Sequence, residues 1–164
     1  SFPTRRSSDL FALILLIVML TGCNKESNEY KTYKNYIKEL NESNIMSSNI
    51  PFDIEVYTEK IIDNEITYRV IIDNPKEDIK NIEAIIIHDK YTEDIFPSTG
   101  IFDDKLNLIP ETIDKDKNYV KGIILTGYIP FKGDINDLNA TFKVLVKYTD
   151  KFNVESVVMY STKK

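Results

Sequence analysis

One cysteine, Cys23, and one histidine, His88, are the single examples of their kind in the 164-residue sequence, and they limit the chemistry open to it. Zinc and iron–sulfur centres take several Cys or His ligands, so one of each nearly excludes both. An intrachain disulfide is impossible. His88 stands beside Asp89, a pairing that can orient a general base, yet no G-x-S-x-G elbow occurs and no motif places a nucleophile. The expected role of His88 is structural, near a strand end with Asp89 starting the turn. Carboxylates gather at Asp103-Asp104, at Asp114 to Asp116 and at Asp134 to Asp137. Calcium takes six to eight oxygens, and the closest approach to such a set is Asp134, Asn136 and Asp137. That segment lacks the sixth-position glycine and bidentate glutamate of an EF-hand. Asx residues also start turns by bonding their own backbone, so a solvated turn is expected there and no metal or other cofactor. Five scattered glycines form neither a phosphate loop nor a dinucleotide fingerprint. Ten tyrosines without a tryptophan are expected as strand residues with an apolar body and a polar tip.

Cys23 has a different context. The run Leu10 to Leu20 is uninterruptedly apolar and ends at Thr21-Gly22-Cys23. It is too short for a transmembrane helix, which needs about 20 apolar residues, and fits a secretory h-region of about 7 to 15. Leu20-Thr21-Gly22-Cys23 resembles the lipobox of bacterial lipoproteins. That resemblance implies cleavage before Cys23, a diacylglyceryl group on its thiol, and attachment to the extracytoplasmic face of the cell membrane, two acyl chains being what stable anchoring takes. The first ten residues, SFPTRRSSDL, resemble translated sequencing adapter, so Arg5 and Arg6 carry no weight as a signal n-region.

The elements that follow place these residues. Residues 1–22 are expected as signal peptide (1–9 as non-native sequence), 23–50 as lipidated cysteine and tether, and 51–162 as a single folded domain. Removing residues 1–22 takes away Arg5, Arg6 and Asp9 and leaves a net charge of −6, which argues against a nucleic-acid partner. Within the tether, Tyr30, Tyr33, Ile37 and Leu40 fall at helical spacing. A helix between Ser27 and Glu42 is balanced there against disorder, since short helices are marginal without packing.

From Pro51 the pattern has period two. Phe52, Ile54 and Val56 alternate with polar residues, as do Ile66, Tyr68, Val70 and Ile72 before the turn Asp73-Asn74-Pro75-Lys76. Ile82 to His88 is more continuously apolar, as expected of a central strand covered on both sides. Tyr119 to Ile129, Thr141 to Thr149 and Val154 to Tyr160 complete six strands, with a seventh expected near Ile95 or Leu108 and close approaches at Gly122 and Gly127. The fold class predicted is all-β, an antiparallel immunoglobulin-like β-sandwich, with a small β-barrel as the alternative.

Thr92 to Asp104 (TEDIFPSTGIFDD), Lys121 to Phe131 (KGIILTGYIPF) and Thr141 to Tyr148 (TFKVLVKY) resemble an uncharacterised lipoprotein family of low-GC Gram-positive bacteria. Eighteen lysines against three arginines suit such a source. The resemblance implies a location and a β-rich domain but no activity. Phe96, Pro97, Ile129, Pro130 and Phe131 are the candidate surface for an envelope protein or peptide, because prolines at strand margins leave backbone and apolar side chains exposed; apolar plugs at the sandwich ends are the competing reading. The expectation is a lipid-anchored, non-catalytic binding or envelope-accessory protein. The alternative is a small lipoprotein enzyme or a calcium-dependent adhesion module.

Overall fold

The computed structural model describes residues 27–43, 45–62, 64–90 and 98–164; Cys23, the apolar run before it, Phe96 and Pro97 lie outside them. The described elements are α1 (Asn28–Glu42), β1 (Asp53–Ile62), β2 (Glu65–Asp73), β3 (Ile79–His88), β4 (Ser98–Leu108), β5 (Gly122–Pro130), β6 (Thr141–Thr149) and β7 (Glu155–Lys163). They form two antiparallel sheets, β1-β2-β5 and β4-β3-β6-β7. The fold is therefore an all-β sandwich and not a closed barrel. In the constant-type immunoglobulin order the fourth strand lies beside the fifth; here β4 pairs with β3 instead, which makes the sheets three and four strands wide.

Period-two alternation turns one face of the strands toward a shared core. Val56, Ile66, Tyr68, Val70, Ile72, Ile123, Leu125 and Ile129 of the first sheet face Ile79, Ile82, Ala84, Ile86, Phe142, Val144 and Val146 of the second, and all are buried. Ile79 and Ile82 are three apart yet both point inward. A register shift between them, with Asn81 at φ 51°, provides the extra residue that a β-bulge inserts. Tyr68 lies opposite Gly127 in the β2–β5 register, and its phenol occupies the space a Cβ at position 127 would fill. Glycine is required there for close approach, as the sequence suggested.

Strand β5 starts at Gly122, three residues later than expected, because Tyr119 is drawn into bridges with Asn107 and Asp114. The seventh strand is β4, the one nearer Leu108. Between its pairings at Ile101 and Leu106 it takes five steps against two on β3, and Asp103, Asp104 and Lys105 are pushed out to solvent.

Residues 28–42, which composition alone assigns to a tether, form a helix packed on the four-stranded sheet. Ser27 caps it, its hydroxyl accepting from the Tyr30 N–H at 3.1 Å. Tyr36 and Leu40 are buried against Ile85, Ile87 and Leu145, with Tyr33, Ile37, Phe102 and Met159 around them. The helix crosses the sheet from β4 to β6. Near its start the Tyr33 ring meets Phe102 of β4 edge-on at 6.4 Å, and near its end the Leu40 carbonyl accepts from Lys143 Nζ of β6 at 3.2 Å. Its presence explains why β3 is apolar on both faces: Ile82, Ala84 and Ile86 serve the core, Ile85 and Ile87 the helix.

Candidate functional site

Two connections meet at one end of the sandwich and enclose a cleft of about 610 Å³. One wall is the β2–β3 turn. Asn74 adopts φ 47°, a left-handed conformation that asparagine tolerates, and its side-chain amide donates to Asp53 Oδ2 at 2.6 Å. The Lys76 N–H donates to the Pro51 carbonyl at 2.8 Å. The other wall is the long connection 109–121. It is irregular in backbone yet closely tied. Asp114 caps a 3-10 turn at Lys115–Lys117, its Oδ1 accepting from the Asp116 N–H at 3.1 Å. Asp114 and Tyr119 exchange backbone hydrogen bonds, and Asn107 does the same with Asn118 and Val120. Lys117 lies 3.2 Å from Asp114, and their hydrogen bond draws the Asp114 carboxyl below its ordinary value. A loop whose polar groups are satisfied by its own Asx side chains holds one shape without a core of its own.

The cleft is mixed in character. Pro75, Ile109, Pro110, Ile113 and Val120 line it with apolar surface, and Asp73, Asn74, Glu111, Thr112 and Lys121 add polar groups to the lining. Ile113 is 64% exposed. Glu111 is held at φ 55°, outside the range most side chains prefer. Ligand sites combine apolar walls with a few placed polar groups, and the arrangement suits an extended segment carrying both. Sequence reading passed over these residues as an irregular stretch; Ile109, Pro110 and Ile113 interrupting an otherwise polar loop were the signal available.

His88 is far from this cleft. The turn precedes β3 and His88 ends it, about 30 Å away at the rise of a strand. The ring is 3% exposed and packs against Tyr68 at 5.4 Å and Phe142 at 6.3 Å between centroids. Its Nδ1 accepts from the Lys90 N–H at 3.1 Å, and Nε2 has no partner among the described residues. Burial pushes its pKa down, with Asp89 opposing, and burial also pushes the Tyr68 phenol up to about 12. Asp89 does not orient the ring; its Oδ1 accepts from the Thr141 N–H at 2.9 Å.

The Asp134 segment is a turn. Asp134 Oδ1 accepts from both the backbone and the side-chain N–H groups of Asn136, at 2.9 and 2.8 Å. The 3-10 turn Ile135–Asp137 then carries Leu138 into the core. Among the described residues no three His, Cys, Asp or Glu side chains are grouped to hold a metal ion.

A second groove, about 540 Å³, runs beside α1. Here the Tyr36 hydroxyl donates to Glu83, and Lys147 sits 2.7 Å from Glu39 and 4.1 Å from the Tyr36 ring centre. Burial and then the Glu83 hydrogen bond raise the Tyr36 phenol well above its ordinary value. These groups are spent on holding the helix.

Of the surface residues expected from sequence, Ile129 is fully buried in the core, which removes it from any partner surface, and Phe131 is half-buried against the core. Pro130 is exposed at the end of an edge strand, where a missing N–H costs nothing. A search finds no matching protein-family model, no matching curated protein and no matching solved structure. The chemistry of the site alone therefore carries the functional reading. Among the described residues no helix is long and apolar enough to cross a membrane.

Proposed function

We propose that this chain is a lipid-anchored, extracytoplasmic, non-catalytic binding module, held to the membrane through Cys23 and engaging an envelope protein or peptide at the loop-end cleft. The observation that carries the anchoring is Leu20-Thr21-Gly22-Cys23 closing an eleven-residue apolar run, with helix α1 and then the sandwich following it in the chain. The binding half is supported by the cleft, where apolar walls stand on loops fixed by their own hydrogen bonds. Preorganised walls reduce the ordering cost that weakens flexible sites. The one histidine is enclosed by Tyr68 and Phe142 at the far end of β3 and does not reach this cleft.

A photo-cross-linking residue at Ile113, on intact cells, should give a discrete adduct that weakens when Lys121→Glu reverses a charge in the cleft lining. The same probe at Val157, on the far edge of the second sheet, should give none. No adduct at position 113, or the same adduct at both positions, would overturn the cleft as the binding site.

A further inference from the structure

Resting on the lipid-anchor reading, we infer that the docked helix holds the domain against the bilayer, with Tyr30 and Lys34 in the first turns of α1 seated at the lipid headgroups. Cys23 and Ser27 are four residues apart, so their Cα atoms are separated by at most about 14 Å. The headgroup layer is about 5–8 Å deep in each leaflet. A diacylglyceryl thioether fixes Cys23 at the base of that layer. Ser27, the helix cap, therefore lies within it or at most about 9 Å above it.

The position of the helix turns this limit on one residue into a limit on the domain. With Tyr36 and Leu40 buried against Ile85, Ile87 and Leu145, and Lys147 paired with Glu39, the cap cannot rise without the sandwich. Were residues 24–51 an extended tether, the same anchor would let β1 range to about 100 Å.

The chain reaches the helix on the β4 side of the sheet, where Tyr33 meets Phe102. Tyr30 is 40% exposed and stacks on Tyr33 at 6.1 Å, with Lys34 Nζ 4.5 Å from the Tyr30 ring centre. Tyrosine belongs at the headgroup level, where its ring is half apolar and its hydroxyl is wet, and lysine adds attraction to anionic lipid. Glu29 and the exposed Asp103-Asp104 pair oppose that attraction. The seat is set by tether length first and charge second.

The sequence has no tryptophan and one cysteine, which suits a direct test. Residues 23–164 are coupled through Cys23 to a maleimide-bearing diacyl lipid in phosphatidylcholine vesicles containing headgroup spin label. Tyr30→Trp fluorescence should be quenched at least twofold more than that of Val157→Trp, on β7 at the opposite edge of the sheet from β4. Leu40→Asp, which frees the helix, should reduce the difference. Should either tryptophan variant misfold by dichroism, slowed amide exchange confined to residues 28–34 on coupling is the equivalent result. Equal quenching at positions 30 and 157, or no slowed exchange, overturns the inference. Fatty-acid labelling of Cys23 in cells separates the two readings: labelled protein with equal quenching removes this inference alone, and absence of label removes the anchor reading beneath it.

Discussion

His88 occupies the core as a neutral ring, pressed between Tyr68 and Phe142, with Nδ1 used by the Lys90 N–H and Nε2 without a described partner. Burial holds its pKa below the ordinary value of 6.5, Asp89 partly opposing. As pH falls through 6.5 the unfolded chain takes up a proton that the folded chain still refuses. Stability present above that pH is therefore lost on acidification. Most carboxylates titrate near 4, so the interval from pH 7 to 5 isolates the histidine. His88→Phe should flatten the fall in melting temperature over that interval, with a pH-independent offset of about 1 kcal/mol from the lost Lys90 acceptor. An unchanged slope would contradict the assignment. At Asp134 the two Asn136 donors already occupy Oδ1. Melts in chelator and in millimolar calcium should superimpose, and Asp134→Ala should cost about 1 kcal/mol as a lost cap. A rise of several degrees with calcium, abolished by Asp134→Asn, would reverse that conclusion.

Helix α1 is the element that most changes the picture of the molecule. Leu40 is fully buried, and removing such a side chain costs about 2–5 kcal/mol. Leu40→Asp should lower the helical dichroism signal, make residues 28–50 protease-sensitive and keep the β signal; retention of a protected helix would refute the docking. For the same reason residues 27–164 should melt higher than 51–162. The shorter chain bares Ile85, Ile87 and Leu145 and loses the pairing of Lys164 with Ala140. Equal melting temperatures would show that the helix adds nothing. The strands were legible because Phe142, Val144, Val146 and Tyr148 share one face with Lys143 and Lys147 on the other, and period two has one structural solution at a half-buried surface. The helix was legible only as spacing, since its stability comes from contacts with Ile85 and Leu145, which are distant in sequence. Leu145, apolar on the face of Lys143 and Lys147, was the trace it left. The cleft was not legible: its turn wall is fixed by bonds such as that from the Lys76 N–H to the Pro51 carbonyl, 2.8 Å long, between residues far apart in sequence.

Taken as a whole, the described residues form a sandwich with one helix-covered face and one loop-end cleft, and the proposed lipid site Cys23 stands four residues before the helix cap Ser27. On the proposed processing the chain from Cys23 onward has a net charge of −6, so general attraction to an anionic membrane surface would not hold it there and the proposed lipid would have to. The most direct measurement is metabolic labelling of cells with a fatty acid, comparing the wild-type chain with Cys23→Ala and fractionating both. The wild type should carry label and sediment with membranes; Cys23→Ala should carry none and appear either as unprocessed precursor or free of the membrane. Equal labelling of the two, or an unlabelled wild type that sediments no more than the variant, would contradict the account.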